Sequence, residues 1–401
     1  MGKQSLHILM YKWRAYNYLD IEKNFLVLGH RVDVIEQELQ SYDEDVEFEM
    51  RLQQLLEQED RYDMVFTVNY FGCISNVCER CRVPYVCWTC DNPLISMYHA
   101  SVFHECNCIF TFDKTNYLEF RAMGVRHIHY LPLAVDTNRL DYLLGELEEQ
   151  DSEAFAEYKN EIAFVGSLYE RNTYDKLSYR LPDYLKGYFD AVMQAQMSIS
   201  GGNIIEDMLT TDILEQLQEY FKLEKSQESF SDLGLIFSTT VLGFKVAALQ
   251  RKRALLALAA RYPVAVYSNS NVQELLGVTY RGGVDYWGEM PKVFRASKIN
   301  LNFTIPNIKS GLPLRVWDIL GSGGFLMTNY QAELPLYLEE GKDYVCFESE
   351  QELVEKCGYY LAHEEERREI AENGYRKVKS AHTYVQRMEE MFRVLEQEGI
   401  V

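Results

Sequence analysis

The 401-residue sequence predicts an α/β protein of two domains, each built on a parallel sheet, with a helical stretch inserted in the second. Three observations carry that expectation. Short apolar, β-branched runs alternate with helical patterns in both halves, the sequence sign of parallel strands joined by crossover helices. The length exceeds what one ordinary core fills. Between residues 174 and 260 no strand pattern interrupts the helical periodicity.

In the first half LHILMY, RVDVIE, MVFTVNY, VPYVCW, CIFTF and HIHYLPL read as strands, with a helix from Lys114 to Met123. This open α/β region ends near Asp136, and the acidic residues 137–160 read as a helical linker on the surface. Strands resume with IAFVG after Glu161, then VAVYSN, VTYRG, INLNFT, FLMTN and YVCFE. The expected domains are 1–150 and 151–384, with a helix over 385–401 packing back toward the first. Ser349-x-x-Glu352 and Thr383-x-x-Gln386 each fit a capping box that starts a helix. No internal repeat joins the halves.

Hydrophobic residues make up 47% and charged ones 25%, which suits packed cores and opposes extended disorder. A net charge of -21 opposes adhesion to nucleic acid, whose phosphates need clustered cations. The sequence reads as having no apolar stretch that approaches the roughly 20 residues that span a bilayer, and no signal-like apolar core at the N-terminus. A cytoplasmic protein without a transmembrane segment is expected, with peripheral membrane contact left open. Nine cysteines, seven of them between Cys73 and Cys108, fit reduced thiols. Cys78-x2-Cys81 and Cys87-x2-Cys90 have the pair spacing of metal ligands. The second pair, however, lies in a strand-like run whose alternation sends its two thiols to opposite faces, so no metal site is expected.

Ser297 to Thr328 is the most informative segment: the strand INLNF, which carries Asn302, then a loop, a helix, a glycine turn and another strand. Gly311 and Pro313 open the helix, whose N-terminus attracts phosphate. Arg315 and Asp318 share one face of that largely apolar helix. An exposed ion pair there contributes only about 0.2 to 0.5 kcal/mol, whereas a buried carboxylate needs partners. A ribose diol would supply two donors to it. Gly166-Ser167 directly after IAFV, with Arg171 and Lys309, suits a pyrophosphate. Gly323-Gly324 reads either as part of that site or as a helix stop, and Tyr286 in GGVDYW as a platform for a base. Asp91 follows the carboxyl end of VPYVCWTC, where open α/β sheets place ligand groups; it reads as a general base or as a helix cap. His99 is a second candidate for proton transfer, with a structural role as the alternative. Dinucleotide, P-loop, zinc-hydrolase and serine-triad motifs do not occur.

The order and spacing of CRVPYVCWTCDNPLISMY, CIFTFDKTNYLEFRAMGV, HYLPLAVD, INLNFT, the Arg315 to Asp318 helix with Gly323-Gly324-Phe325, and the closing HTYVQR resemble bacterial glycosyltransferases of the GT-B architecture, in particular the CgeB-like, spore-maturation group. The resemblance covers nearly the whole chain. It implies two Rossmann-like domains facing each other across a cleft, an acceptor site on the first and a nucleotide-sugar donor, UDP-linked by preference, on the second. It further implies transfer to a glycan or protein without a metal or other cofactor. In related retaining transferases two glutamates eight positions apart contact the donor; here those positions hold Ser310 and Asp318. The alternatives are a sugar-nucleotide epimerase or phosphorylase, and a catalytically inactive relative serving in binding or surface assembly.

Overall fold

The structure, a computed structural model, describes residues 5–58, 62–150 and 155–401, the side chains of 146–150 aside. It divides into two compact units: residues to Ala134 with Glu224–Ser231 and Thr383–Val401, and Val135–Leu223 with Asp232–His382. The residues that read as strands form strands. Those of the first unit are β1 (His7–Lys12), β2 (Arg31–Glu36), β3 (Met64–Val68), β4 (Tyr85–Trp88), β5 (Asn107–Thr111) and β6 (Ile128–Tyr130). They lie in the order β2-β1-β3-β4-β5-β6, every pair parallel. In the second unit β7 (Ile162–Val165), β8 (Val264–Tyr267), β9 (Thr279–Gly282), β10 (Ile299–Asn302), β11 (Leu326–Asn329) and β12 (Val345–Phe347) lie in the order β12-β11-β10-β7-β8-β9, again parallel. Both are Rossmann-like sheets. The strand order reverses between β1 and β3 in one and between β7 and β10 in the other, and such a reversal opens a crevice at the carboxyl ends of the strands.

β3, β4 and β5 are buried at every position, as parallel strands covered on both faces must be. Tyr384–Gln397 closes the first unit by packing on the Tyr18–Val27 helix, with Phe392 5.9 Å from Phe25, while Tyr384 meets Trp88 at 5.9 Å. Thr383 and Gln386 form the complete capping box. Ser349 caps its helix on one side only, because the Glu352 carboxylate takes the amide of Glu348 instead of that of Ser349.

The acidic Thr137–Gln150 segment is helical, but its Leu140 and Leu144 are buried and it groups with the second unit. An i,i+4 leucine pair gives the helix an apolar stripe that a solvated linker lacks. Between β7 and β8 the described residues carry helices and no strand. These build a core of their own around Phe189, Leu217, Phe237 and Val246, while Leu255 and Leu258 join the sheet core with Ile299 and Leu301. The continuous helical run Leu233–Ala259 is long and apolar enough to cross a membrane by length and composition, which corrects the expectation that no stretch approaches that size. The physical reason for its apolarity lies in the protein: 61% of its most apolar part is buried, since the run feeds both cores.

The cysteines are free thiols, with Cys73, Cys78, Cys87 and Cys108 buried. Burial raises the pKa of each of these four. Among the described residues, the groups that bring three possible metal ligands together are Glu79, His104 and Cys106, and Cys108, His129 and Glu398. Neither group contains a cysteine of the two C-x2-C pairs.

Candidate functional site

The reversal in the second unit is occupied by a side chain that the sequence reading missed. Arg251, buried in the Phe244–Ala259 helix, donates through Nη1 to the Ser167 carbonyl and through Nη2 to the Phe303 carbonyl at 2.7 Å. It thereby ties the loop after β7 to the loop after β10. Its guanidinium lies 4.8 Å from the Tyr169 ring centroid and 5.5 Å from that of Phe164, and its Nε has no hydrogen-bond partner. Burial lowers its pKa, while Tyr169 offsets part of that loss.

After β10 the chain runs through Pro306–Pro313 into the Leu314–Gly321 helix. This loop is held from three sides. Asn329, at the end of β11, accepts from the Thr304 amide at 2.7 Å and donates to the Thr304 carbonyl at 3.1 Å. Gln331 donates to the Ile308 carbonyl at 3.1 Å. Asn307 donates to the Thr239 carbonyl at 3.1 Å, within the π-helical turn Phe237–Gly243. A Cβ on Gly243 would collide with the Asn307 side chain, so only glycine admits this approach.

Asp318 sits on the second turn of the helix that follows, 5% exposed. Its Oδ1 accepts from the Tyr286 hydroxyl at 2.8 Å, and Arg315 Nη1 stands 3.7 Å from Oδ2. Desolvation pushes the carboxyl up to about 6, against the pull of Arg315, Tyr286 and Arg139. Arg139 itself donates to the Trp287 carbonyl at 2.9 Å and lies over the Trp287 ring. Arg315 packs over Phe294 and contacts the Met290 sulfur. The carboxylate thus lacks neither charge partner nor donor within the protein, and burial alone does not demand a ligand.

A second buried carboxylate escaped the sequence. Glu333, just beyond β11, accepts from the Ser310 hydroxyl at 2.7 Å, and its amide donates to the Ser310 carbonyl at 3.2 Å. Twenty-three residues separate the two, and no local pattern signals the pairing.

The remaining candidates of this unit scatter. The Gly166 amide donates to the Tyr267 carbonyl at 3.0 Å and is spent on the sheet. Ser167 accepts from the Tyr169 amide at 3.1 Å. Arg171 is 90% exposed and borders a cavity of about 380 Å³ with Asp175 and Lys245, on the side of the helical stretch. Lys309 lies in the loop, 3.9 Å from Glu206, and Gly311 is buried in it. Asn302 is enclosed and donates to Thr304 and Thr328 at 3.0 and 2.9 Å, which gives it a structural task. Gly323 and Gly324 lie at the other edge of the sheet, because the helix runs back against the strands and its last turn meets the start of β11. A Cβ at Gly324 would come within 2.8 Å of the Phe294 carbonyl, so the pair serves a tight return.

In the first unit the reversal lies beside Asn69, a non-glycine residue at φ 65 directly after β3. Its side chain donates to Asp91 Oδ2 at 2.7 Å and accepts from the Cys90 amide at 2.8 Å. Holding Asn69 in the left-handed region costs conformational energy that these two bonds offset. Asp91 reaches solvent at its rim, yet the surrounding protein raises its pKa by desolvation, with Asn69 pulling the other way. It does not cap the following turn, since Leu94 precedes Ile95–Met97 without a side-chain cap. His99 does cap: Nδ1 accepts from the Ser101 amide at 3.2 Å, and Nε2 lies 3.4 Å from Glu228. Its ring is committed to structure on both nitrogens.

Residues 250–393 match a family model described as "Glycosyl transferase-like". None of the curated proteins matches the chain. Among solved structures the chain is similar to Anabaena HepE in complex with UDP and glucose, with 10% identity, a TM-score of 0.53, and 98% of this chain and 100% of that one covered. It is similar to a glycosyltransferase from Rickettsia africae ESF-5, with 8% identity and a TM-score of 0.55 over 98% of both chains. It is also similar to sucrose-phosphate synthase from Thermosynechococcus elongatus, with 12% identity and a TM-score of 0.54 over 98% of this chain and 100% of that one. At such identities the likeness is one of fold, and the fold is GT-B. The glycosyl transferase-like segment, which contains Asp318, Ser310 and Glu333, supports an enzyme that transfers glycosyl groups.

Proposed function

We propose that this protein is a cytoplasmic glycosyltransferase of the CgeB-like group, moving a sugar from a UDP-linked donor to a glycan or protein acceptor. The observation that carries the reading is the Asp318 cluster: a buried carboxylate on the helix after the strand reversal, inside the glycosyl transferase-like segment. HepE, which shares the fold, binds UDP and UDP-glucose, and this favours uracil as the base.

Donor binding belongs to the second unit and acceptor activation to the first. Above pH 6 Asp318 is ionised and accepts from ribose hydroxyls; one of these takes the place of the Tyr286 hydroxyl, whose ring then lies against the base. The diphosphate meets the N-terminus of the Leu314–Gly321 helix, with Lys309 and Arg315 as its cations, so the departing charge is neutralised by protein groups. Arg251 positions the two loops without touching the donor. Glu333, presented through Ser310, brings a carboxylate to the position where Ser310 itself has none. Asp91, desolvated and held by Asn69, accepts the proton of the attacking hydroxyl.

Calorimetric titration with UDP, GDP and ADP, followed by UDP-sugars with nucleotide release as readout, tests the proposal. Preference for UDP, lost in Asp318→Ala, is the expected result; equal binding of all three, or an unchanged Asp318→Ala protein, overturns it. The serine at position 310 favours one second reading, a relative that binds but does not transfer. It would show UDP binding with no sugar released from any donor.

A further inference from the structure

A cavity of the second unit lies away from the site above. A recess of about 870 Å³ opens at the amino edge of the second sheet, lined by residues before or at the start of β7, β8, β10 and β11 and by Thr279 and Arg281 of β9. Because all six strands are parallel, this edge lies opposite the carboxyl ends that carry the Asp318 cluster. A strand of four residues rises about 13 Å, so the two places are separate.

The lining is basic in a chain whose net charge is -21. Lys159, Arg281, Arg295, Lys298, Arg367 and Arg368 border it, against Glu161, Glu364 and Glu372. Those carboxylates are already engaged: Glu161 with Lys298 at 2.8 Å, Glu364 with Arg368, and Glu372 with Arg376 at 2.8 Å. Lys159 and Arg281 have no ion-pair partner among the described residues, and both are exposed. The independent observation is Arg367. It is 7% exposed, donates through Nη1 to the Lys298 carbonyl at 2.9 Å, and its Nε has no acceptor. Arg367 is among the residues that line the recess, and a buried guanidinium with an unspent donor is costly. Arginine clusters of this kind recognise phosphate through paired N–H groups, and the volume falls within the range of small-molecule sites.

We propose that this recess binds a group carrying two or more phosphates, at a site distinct from the donor site. The proposal does not depend on the donor reading. The phosphates could belong to a soluble compound or to a lipid headgroup, and two measurements on the full chain separate these sources. One is titration with inorganic pyrophosphate in the presence of saturating UDP; the other is co-sedimentation with cardiolipin vesicles, whose headgroup carries two phosphates, against phosphatidylcholine vesicles. Each is run on the native chain, on the surface double variant Lys159→Glu/Arg281→Glu, and on Asp318→Asn. Pyrophosphate binding weakened at least tenfold by the double variant and unchanged in Asp318→Asn supports a soluble ligand. Anionic vesicle binding lost in the double variant supports a headgroup. Absence of both, or binding that survives the double variant, overturns the proposal. Should UDP fail to bind at all, the pyrophosphate and vesicle results retain the same meaning.

Discussion

Each sheet reverses its strand order once, and beside each reversal stands a carboxylate with a raised pKa, yet the two are held in opposite ways. Asp318 is enclosed, with Tyr286 on one oxygen, Arg315 on the other and Arg139 nearby. Asp91 keeps contact with solvent and has a single neutral partner, Asn69. Desolvation lifts both, but only the first is surrounded by cations. The difference teaches that a raised pKa has no single meaning. A carboxylate fixed by charges is suited to holding hydroxyls, whereas a lone one at a rim is suited to exchanging a proton.

The strongest way to break this comparison is Asp91→Asn. If Asp91 is the base, kcat falls by ~10²- to 10⁴-fold while UDP affinity is unchanged. The native pH profile of kcat/KM should then rise with pH through a value above the usual carboxylate range, and that limb should vanish in the variant. An unaltered profile would make Asp91 a bystander. Next in size, Asp318→Asn should weaken UDP by ~10-fold or more, since a neutral amide accepts less strongly from a diol; calorimetry reads this directly.

Stability offers a third test. Between about pH 4 and the value near 6, folded Asp318 retains a proton that the unfolded chain has released. Stability therefore decreases as pH rises through that window, by roughly 3 kcal/mol, and Asp318→Asn should flatten the slope in denaturant titrations at pH 4 and pH 7. The smallest effect is expected from Asn69→Ala. Losing the bond that now lowers the Asp91 pKa should move the acid limb further up, with less than a tenfold change in maximal rate.

The inner strands were legible because buried parallel strands are apolar and β-branched, as in CIFTF, whereas the edge strands β2 and β9 are largely exposed. The Arg315–Asp318 pair was legible for a related reason: three positions along a helix fix a shared face. What the sequence hid are pairings across distance. Tyr286 lies 32 positions from Asp318, Ser310 lies 23 from Glu333, and Arg251 lies 52 from the Phe303 carbonyl it holds. Nothing local distinguishes Arg251 from its neighbour Arg253. Gly323-Gly324 left two readings open for the opposite reason, since glycine beside a helix end reads alike whether it greets a phosphate or makes room for a strand.

The last helix, Tyr384–Gln397, carries a consequence for how the protein is made. Phe25 is fully buried, and part of its cover is Phe392. On a ribosome adding about 5 to 20 residues per second, that cover emerges roughly twenty to seventy seconds after the residue it shields. During this interval the nascent first unit exposes an apolar face that invites chaperones. A fragment ending at Ala134 would keep that face permanently, and should be recovered as aggregate where the full chain stays in solution.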